Sequence, residues 1–185
     1  MIHTGSSMKI ILIGIQGAGK STQGNLLSRD FKVPYLSTGH IFRELSHEKT
    51  PHGRYIKEVM NAGYLIPDKK TLEIVSDYLR RKEYEKGYIM DGFPRTLEQA
   101  KAFKNGIDKA IHLKVSDKEA LWRLSLRNSD REDETIAGIR KRIELYHKFT
   151  EPVIEYYGSK GVLVEINGEQ PIEAIHKEIM EKIKK

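Results

Sequence analysis

Cysteine is absent from this sequence, which excludes disulfides and any cysteine-ligated zinc site. A reducing compartment fits that absence, and a cytoplasmic location is the expectation. No apolar run approaches the ~20 residues that a membrane-spanning helix needs. The longest, Ile10 to Ile13, reads as a buried strand, so no membrane partner is expected. The opening Met-Ile-His-Thr-Gly-Ser-Ser lacks the basic and apolar blocks of a signal peptide. Residues 1–8 are therefore set aside as a tag remnant or an alternative start. Like charges never run beyond pairs and triplets, which argues against a polyanion-binding arm. The nine tyrosines do not cluster, so nucleic acid is not an expected partner either. With no internal repeat, low-complexity tract or linker, a single domain with insertions is expected.

What is present is an ordinary globular mix, 38 % hydrophobic and 31 % charged, in 185 residues. That length suits one domain with a real core. The net charge of +6 and pI near 9.3 suit nucleic acid, an anionic surface or highly charged small substrates, and charge alone does not choose. Strand-like runs alternate with helical patterns, the mark of a parallel α/β sheet. Strands are expected at Lys9–Gly14, Val33–Leu36, Gly87–Asp91, Lys109–Val115 and Gly161–Ile166, the first of them central. A helix should run from about Lys20 to Arg29. The long helical stretch between the second and third strands exceeds what a crossover needs, which points to a helical subdomain. Ser116 and Glu119 form a capping box for a helix carrying Leu121 and Leu124. Ile136, Ile139, Ile143, Tyr146, Val153 and Tyr157 recur at helical steps, predicting one long amphipathic helix that Pro152 kinks or interrupts. The last helix should open at Pro171 and bury Ile172, Ile175, Ile179 and Ile183.

Gly14 to Ser21, Gly-Ile-Gln-Gly-Ala-Gly-Lys-Ser, matches the phosphate-binding P-loop in full. It also follows a strand and opens a helix, as that loop must. Glycines let backbone N–H groups turn toward phosphate oxygens, and the helix N-terminus adds positive potential. Lys20 would reach the β- and γ-phosphates, and Ser21 would serve Mg²⁺. Asp91 ends the third strand at the edge where ligands of open sheets collect, and an aspartate there suits Mg²⁺ or its waters.

Four motifs in order carry a resemblance. These are Gly17-Ala-Gly-Lys-Ser-Thr-Gln23, Ser37-Thr-Gly-His-Ile-Phe-Arg43, Gly63-Tyr-Leu-Ile-Pro-Asp68, and Asp91-Gly-Phe-Pro-Arg-Thr96 followed by Gln99-Ala100. Together they resemble the adenylate kinase family, from about Lys9 to the C-terminus. The resemblance implies a P-loop NTPase fold, with a five-stranded parallel sheet and helices on both faces, in one kinase domain over residues 9–185. It implies a monophosphate-binding insertion at 38–67 and a very short lid at 124–135, closing over the substrates by a hinged motion. ATP would be held by Gly17, Ala18, Gly19, Lys20, Ser21, Thr22, Arg123, Arg127 and Gln170. AMP would be held by Thr38, Gly39, Arg43, Tyr64, Leu65, Ile66, Gly92, Arg95, Gln99, Arg131 and Arg142. Lys20, Arg95, Arg123, Arg127, Arg131 and Arg142 would act on the transferring group, and Ser21 and Asp91 on Mg²⁺. No zinc is expected, since the lid lacks the residues that hold it in long-lid members. The implied partners are ATP, AMP and ADP, bound by a monomer.

Physical chemistry supports those roles. Guanidinium forks suit phosphate oxygens, and Arg123 and Arg127 lie four apart on one helix face. A monophosphate is largely ionised near neutral pH, its second pKa being about 6, so no general base is required. Catalysis reduces to in-line positioning and charge neutralisation with water excluded. Gln99 presents both a donor and an acceptor, complementing adenine. Departures from the family pattern are Gln16 for proline, Ser21 for glycine, and His40 for aspartate beside the acceptor site. Asp133 and Glu134 stand where an acidic pair is expected. The alternatives are a UMP or CMP kinase of the same fold, or a P-loop ATPase or nucleotide sensor without an acceptor.

Overall fold

The longest apolar run of the chain forms the middle of its sheet. In the computed structural model, which describes residues 8–126 and 135–183, β1 (Met8–Ile13) lies between β3 (Gly87–Asp91) and β4 (Lys109–Lys114). β2 (Tyr35–Ser37) joins β3 and β5 (Leu163–Asn167) joins β4, all parallel, in the order β2-β3-β1-β4-β5. Alternation along β1 sends its side chains to two cores. Ile10 and Leu12 meet Leu27 of α1 (Lys20–Phe31) and Ile175 and Ile179 of α9 (Ile172–Ile183) on one face. Ile11 and Ile13 meet Val75 of α4 (Asp68–Leu79) and Val153 and Tyr157 of α8 (Glu151–Ser159) on the other. The expected five parallel strands and two helical layers are therefore present.

Between β2 and β3 the chain also forms α2 (Thr38–Ser46) and α3 (Pro51–Asn61). Phe42, Ile56, Met60 and Ile66 give this part a small core of its own. Thr50 caps α3 by accepting from the Gly53 N–H at 2.9 Å, with Pro51 in the first turn where no N–H is missed. α5 (Leu97–Ala102) follows β3, and α6 (Asp117–Ser125) follows β4. α7 (Ile136–Leu145) leads into a π-helical turn over Tyr146–Thr150 and then α8. Among the described residues, no helix is long and apolar enough to cross a membrane.

Several expectations need correction. β1 takes in Met8, which pairs with Gly87, and ends at Ile13, against the expected span Lys9–Gly14. The capping box at Ser116 is only half made. Ser116 Oγ accepts from the Glu119 N–H at 3.3 Å, but Glu169, not Glu119, accepts from the Ser116 N–H at 2.8 Å. The Glu119 carboxylate is instead held by Arg123 at 2.7 Å. The long amphipathic helix is divided at the π turn, one turn ahead of Pro152, whose missing N–H cannot extend an α-helical ladder. Ile136 is 75 % exposed and Ile172 is 50 % exposed. Both are the first residues of their helices.

Candidate active site

A cleft of about 470 Å³ opens at the carboxyl ends of β1, β2 and β3, where the phosphate loop, α2 and the start of α5 meet. The loop leaves β1 at Gly14 and enters α1 at Lys20. Gly17 and Gly19 have φ of +91° and +87°, a region costly for any side chain. A Cβ at Gly17 would also lie 2.8 Å from the Ala120 carbonyl oxygen, so α6 closes on the loop. Lys20 Nζ reaches back over the loop and donates to the Gly14 and Ile15 carbonyls at 2.7 and 2.9 Å. Ser21, in the first turn of α1, lines the same cleft.

Asp91, the last residue of β3, lines the cleft beside β1, paired with Leu12 just ahead of the loop. The Tyr35 hydroxyl donates to Asp91 Oδ2 at 2.9 Å. Burial, and then the Asp91 charge, push the Tyr35 phenol up, so it remains a donor. Sequence reasoning missed Tyr35. Its signal was Gly24, a glycine inside α1 whose absent Cβ leaves room for the tyrosine ring. The Ser21 hydroxyl and Asp91 carboxylate are hard oxygen donors of the kind that could hold Mg²⁺ with help from other oxygens. Among the described residues, no group of three or more His, Cys, Asp or Glu could hold a metal ion without such help.

The other wall comes from α2, the 64–66 segment and the start of α5. Gly39 and Arg43 project from α2, and Tyr64, Leu65 and Ile66 line the cleft beyond them. Gly92 has φ +82°, and its missing Cβ leaves space for the Thr38 hydroxyl and the Arg95 guanidinium. Arg95 Nε donates to the Gly92 carbonyl at 2.8 Å, and the Arg95 carbonyl accepts from Thr150 Oγ1 at 2.9 Å. Arg142 of α7 donates to the Met60 carbonyl at 2.8 Å and to Gln16 Oε1 at 3.4 Å, tying the end of α3 to the phosphate loop. Gln99 is 2 % exposed yet lines the cleft, a buried amide rather than one on a solvated helix face. Lys20, Arg43, Arg95 and Arg142 therefore surround one space, and a site so built selects multiply charged anions.

Other expected residues lie elsewhere. Thr38 is buried with its hydroxyl on the Asp91 carbonyl at 3.3 Å, Ala18 is buried in the core, and Thr22 is exposed. Arg123 lies outside the cleft lining, held by Glu119 and by the Gly168 carbonyl at 2.8 Å. Gln170 follows two residues later, donating to the Asn167 carbonyl and to Glu178. Arg127, Arg131, Asp133 and Glu134, with most of the expected lid, lie outside the described residues. His40 does line the cleft, its Nε2 3.2 Å from Glu44. Tyr146 and Thr150 of the π turn also line it, unforeseen because the sequence pattern assigned that segment to a continuous helix. Tyr146 hydrogen-bonds His112 at 3.1 Å, and burial pushes its phenol up to about 12.

Comparison with known proteins agrees with this geometry. Residues 12–162 match the family described as adenylate kinase. A relative named adenylate kinase from Caldicellulosiruptor bescii is 35 % identical, covering 94 % of this chain and 97 % of its own length. One from Clostridium botulinum is 36 % identical, over 91 % of this chain and 94 % of its own. One from Clostridium beijerinckii is 34 % identical, over 94 % and 97 %. The first of these alignments runs over 209 positions, more than the 185 residues here, so that relative carries segments with no counterpart in this chain. With both walls of the cleft, the fold and these relatives in agreement, the chain belongs to the adenylate kinase family.

Proposed function

We propose that the protein catalyses the reversible Mg²⁺-dependent transfer of a phosphoryl group from ATP to AMP, giving two ADP. The observation that carries this is the convergence of Lys20, Arg43, Arg95 and Arg142 on one cleft with two differently built walls. A P-loop ATPase or sensor has no use for the second wall. ATP phosphates lie along Gly17 to Ser21, where backbone N–H groups and the α1 N-terminus meet them. Thr22, and Ala18 through its backbone, complete that loop. Arg123 and Gln170 flank the donor base, since the Gly168 carbonyl joins their two segments. Arg127 and Arg131 act from the lid at 124–135.

On the acceptor side Arg43 and Arg95 clamp the AMP phosphate, Thr38 and Gly39 border it, and Gln99 meets the base beside Tyr64 to Ile66. Gly92 lets the backbone approach closely. Arg142 and Lys20 then neutralise charge building on the transferring group, and Arg131 joins them. Ser21 and Asp91 would hold Mg²⁺, which supplies charge neutralisation across the donor phosphates when bound. The acceptor oxygen is already ionised, so no side chain needs to remove a proton. Residues 38–67 act as the monophosphate-binding insertion, closing over the substrates to exclude water. A cytoplasmic monomer of one kinase domain completes the proposal.

The test is a coupled assay with Mg-ATP and AMP, UMP, CMP, dCMP or dTMP in turn, beside an acceptor-free control. Fast ADP formation with AMP alone is expected. Preference for another acceptor would overturn the role of Gln99, and ATP loss independent of acceptor would overturn the transferase reading.

A further inference from the structure

We infer that Asp68 is a specificity-setting positioning residue: it holds the Gln99 amide one way round, and so sets the hydrogen-bonding polarity the acceptor base must match. This rests on Gln99 being the group that meets the base, as proposed above. Gln99 Oε1 accepts from the Arg95 backbone N–H at 2.7 Å, and its Nε2 donates to Asp68 Oδ1 at 2.8 Å. The same Asp68 oxygen accepts from the Thr96 hydroxyl at 3.0 Å. Thr96 is the N-cap of α5 and accepts from the Gln99 N–H at 3.1 Å. The amide is thus gripped at both ends, in a place that water scarcely reaches.

The two ends of an amide are similar in outline and opposite in chemistry, since oxygen only accepts and NH₂ only donates. A backbone N–H offers only a hydrogen, and a carboxylate only lone pairs. Turning Gln99 over would set its oxygen against the Asp68 oxygen and its NH₂ against the Arg95 N–H. Both bonds would be lost with four polar groups left facing like partners. One N–H and one oxygen lone pair of Gln99 remain beyond these two bonds, in a fixed order along the cleft wall. Adenine offers an amine donor beside a ring acceptor, which meets one order. Hypoxanthine and guanine offer a carbonyl acceptor beside a ring N–H, the inverse order. An amide free to turn would serve either edge, and a held amide refuses the second. Asp68 itself lines the neighbouring hollow with Leu97 and Leu145 rather than the cleft, so it acts through Gln99.

Three monophosphates test this on the unaltered protein: AMP, purine riboside 5′-monophosphate, which has no group at position 6, and IMP. A held amide predicts kcat/KM in that order, with IMP at least about tenfold below the purine riboside compound. IMP equal to or better than that compound would overturn the proposal, because only a turning amide recovers both bonds. In Asp68→Asn the carboxamide can face Gln99 with either end, leaving the Arg95 N–H as the remaining grip, so the IMP-to-AMP ratio should rise by about two- to tenfold. Gln99→Ala separates the two layers of inference. A ratio unchanged by Gln99→Ala overturns the base assignment itself. A ratio that rises in Gln99→Ala but is untouched by Asp68→Asn overturns only the role of Asp68. Should Asp68→Asn fail to fold, the substrate series still decides.

Discussion

Replacing Gly24 by alanine should destabilise this protein, against the usual sign for a helix interior. Removing a glycine from a helix ordinarily gains about 1 kcal/mol. At this position of α1 a Cβ would collide with Tyr35 Cε2 and lie 2.8 Å from its Cδ2 and 3.1 Å from Leu12 Cδ1. Carbon atoms settle about 3.5–4.0 Å apart, so the ring must retreat by about 1 Å. It cannot do so freely, because its hydroxyl is tied to Asp91 at 2.9 Å. Overpacking costs about 1–3 kcal/mol, and a strained hydrogen bond to a carboxylate about 1.5–3 kcal/mol more. Set against the helix gain, a net loss of about 1.5–5 kcal/mol is expected. The assay is urea denaturation of the wild type, Gly24→Ala, Tyr35→Ala and the double variant at one pH. Without the ring the space is open, so Gly24→Ala should stabilise the Tyr35→Ala background by about 1 kcal/mol. The reasoning is refuted if Gly24→Ala raises the midpoint with Tyr35 present, or if the two substitutions simply add.

Three further expectations follow from the site and its supports. Lys20→Met should lower kcat by about 10²–10³, since Nζ would meet charge developing on the transferring group; a kcat within tenfold of wild type would contradict the role. Arg95→Lys keeps the charge but loses the planar fork, so the KM for AMP should rise by at least about tenfold in steady-state kinetics, and an unchanged KM would remove Arg95 from the acceptor clamp. His147 is held by Glu151 at 2.6 Å and by Asp117 at 2.9 Å, and these bonds, that to Glu151 foremost, raise its pKa above the ordinary value. Its stabilisation is therefore full below about pH 6.5 and fades as pH rises through the higher folded value. The melting-temperature gap between wild type and His147→Gln should be wider at pH 6 than at pH 9, and a constant gap would argue against this linkage.

Much of the fold was legible because its signals are local. The strand Gly87–Asp91 is bounded as expected, opening on Gly87 and followed directly by Gly92, both at positive φ. The phosphate loop was legible for the same reason, its glycines, lysine and serine being contiguous. Arg123 shows where local signals stop. Helical spacing paired it with Arg127, yet what holds it in the structure is Glu119 and a carbonyl 45 positions away. Capping at Ser116 follows the same logic, its second half being supplied by Glu169 from another segment.

By itself, the sequence determined the parallel α/β class, the phosphate loop and the identity of most charged groups around the cleft. Each depends on residue type at short spacing, through backbone sterics and hydrophobic alternation. Only the tertiary structure decided that Gln99 is buried, that Asp68 holds its amide, that Tyr35 reaches Asp91 past Gly24, and that Arg142 spans Gln16 and Met60. Those contacts join segments 31 to 126 positions apart, apart from the short bond between Arg95 and Gln99. Their geometry exists only after the sheet order β2-β3-β1-β4-β5 has brought the strand ends together, because hydrogen bonds of this kind require contact that sequence spacing does not encode.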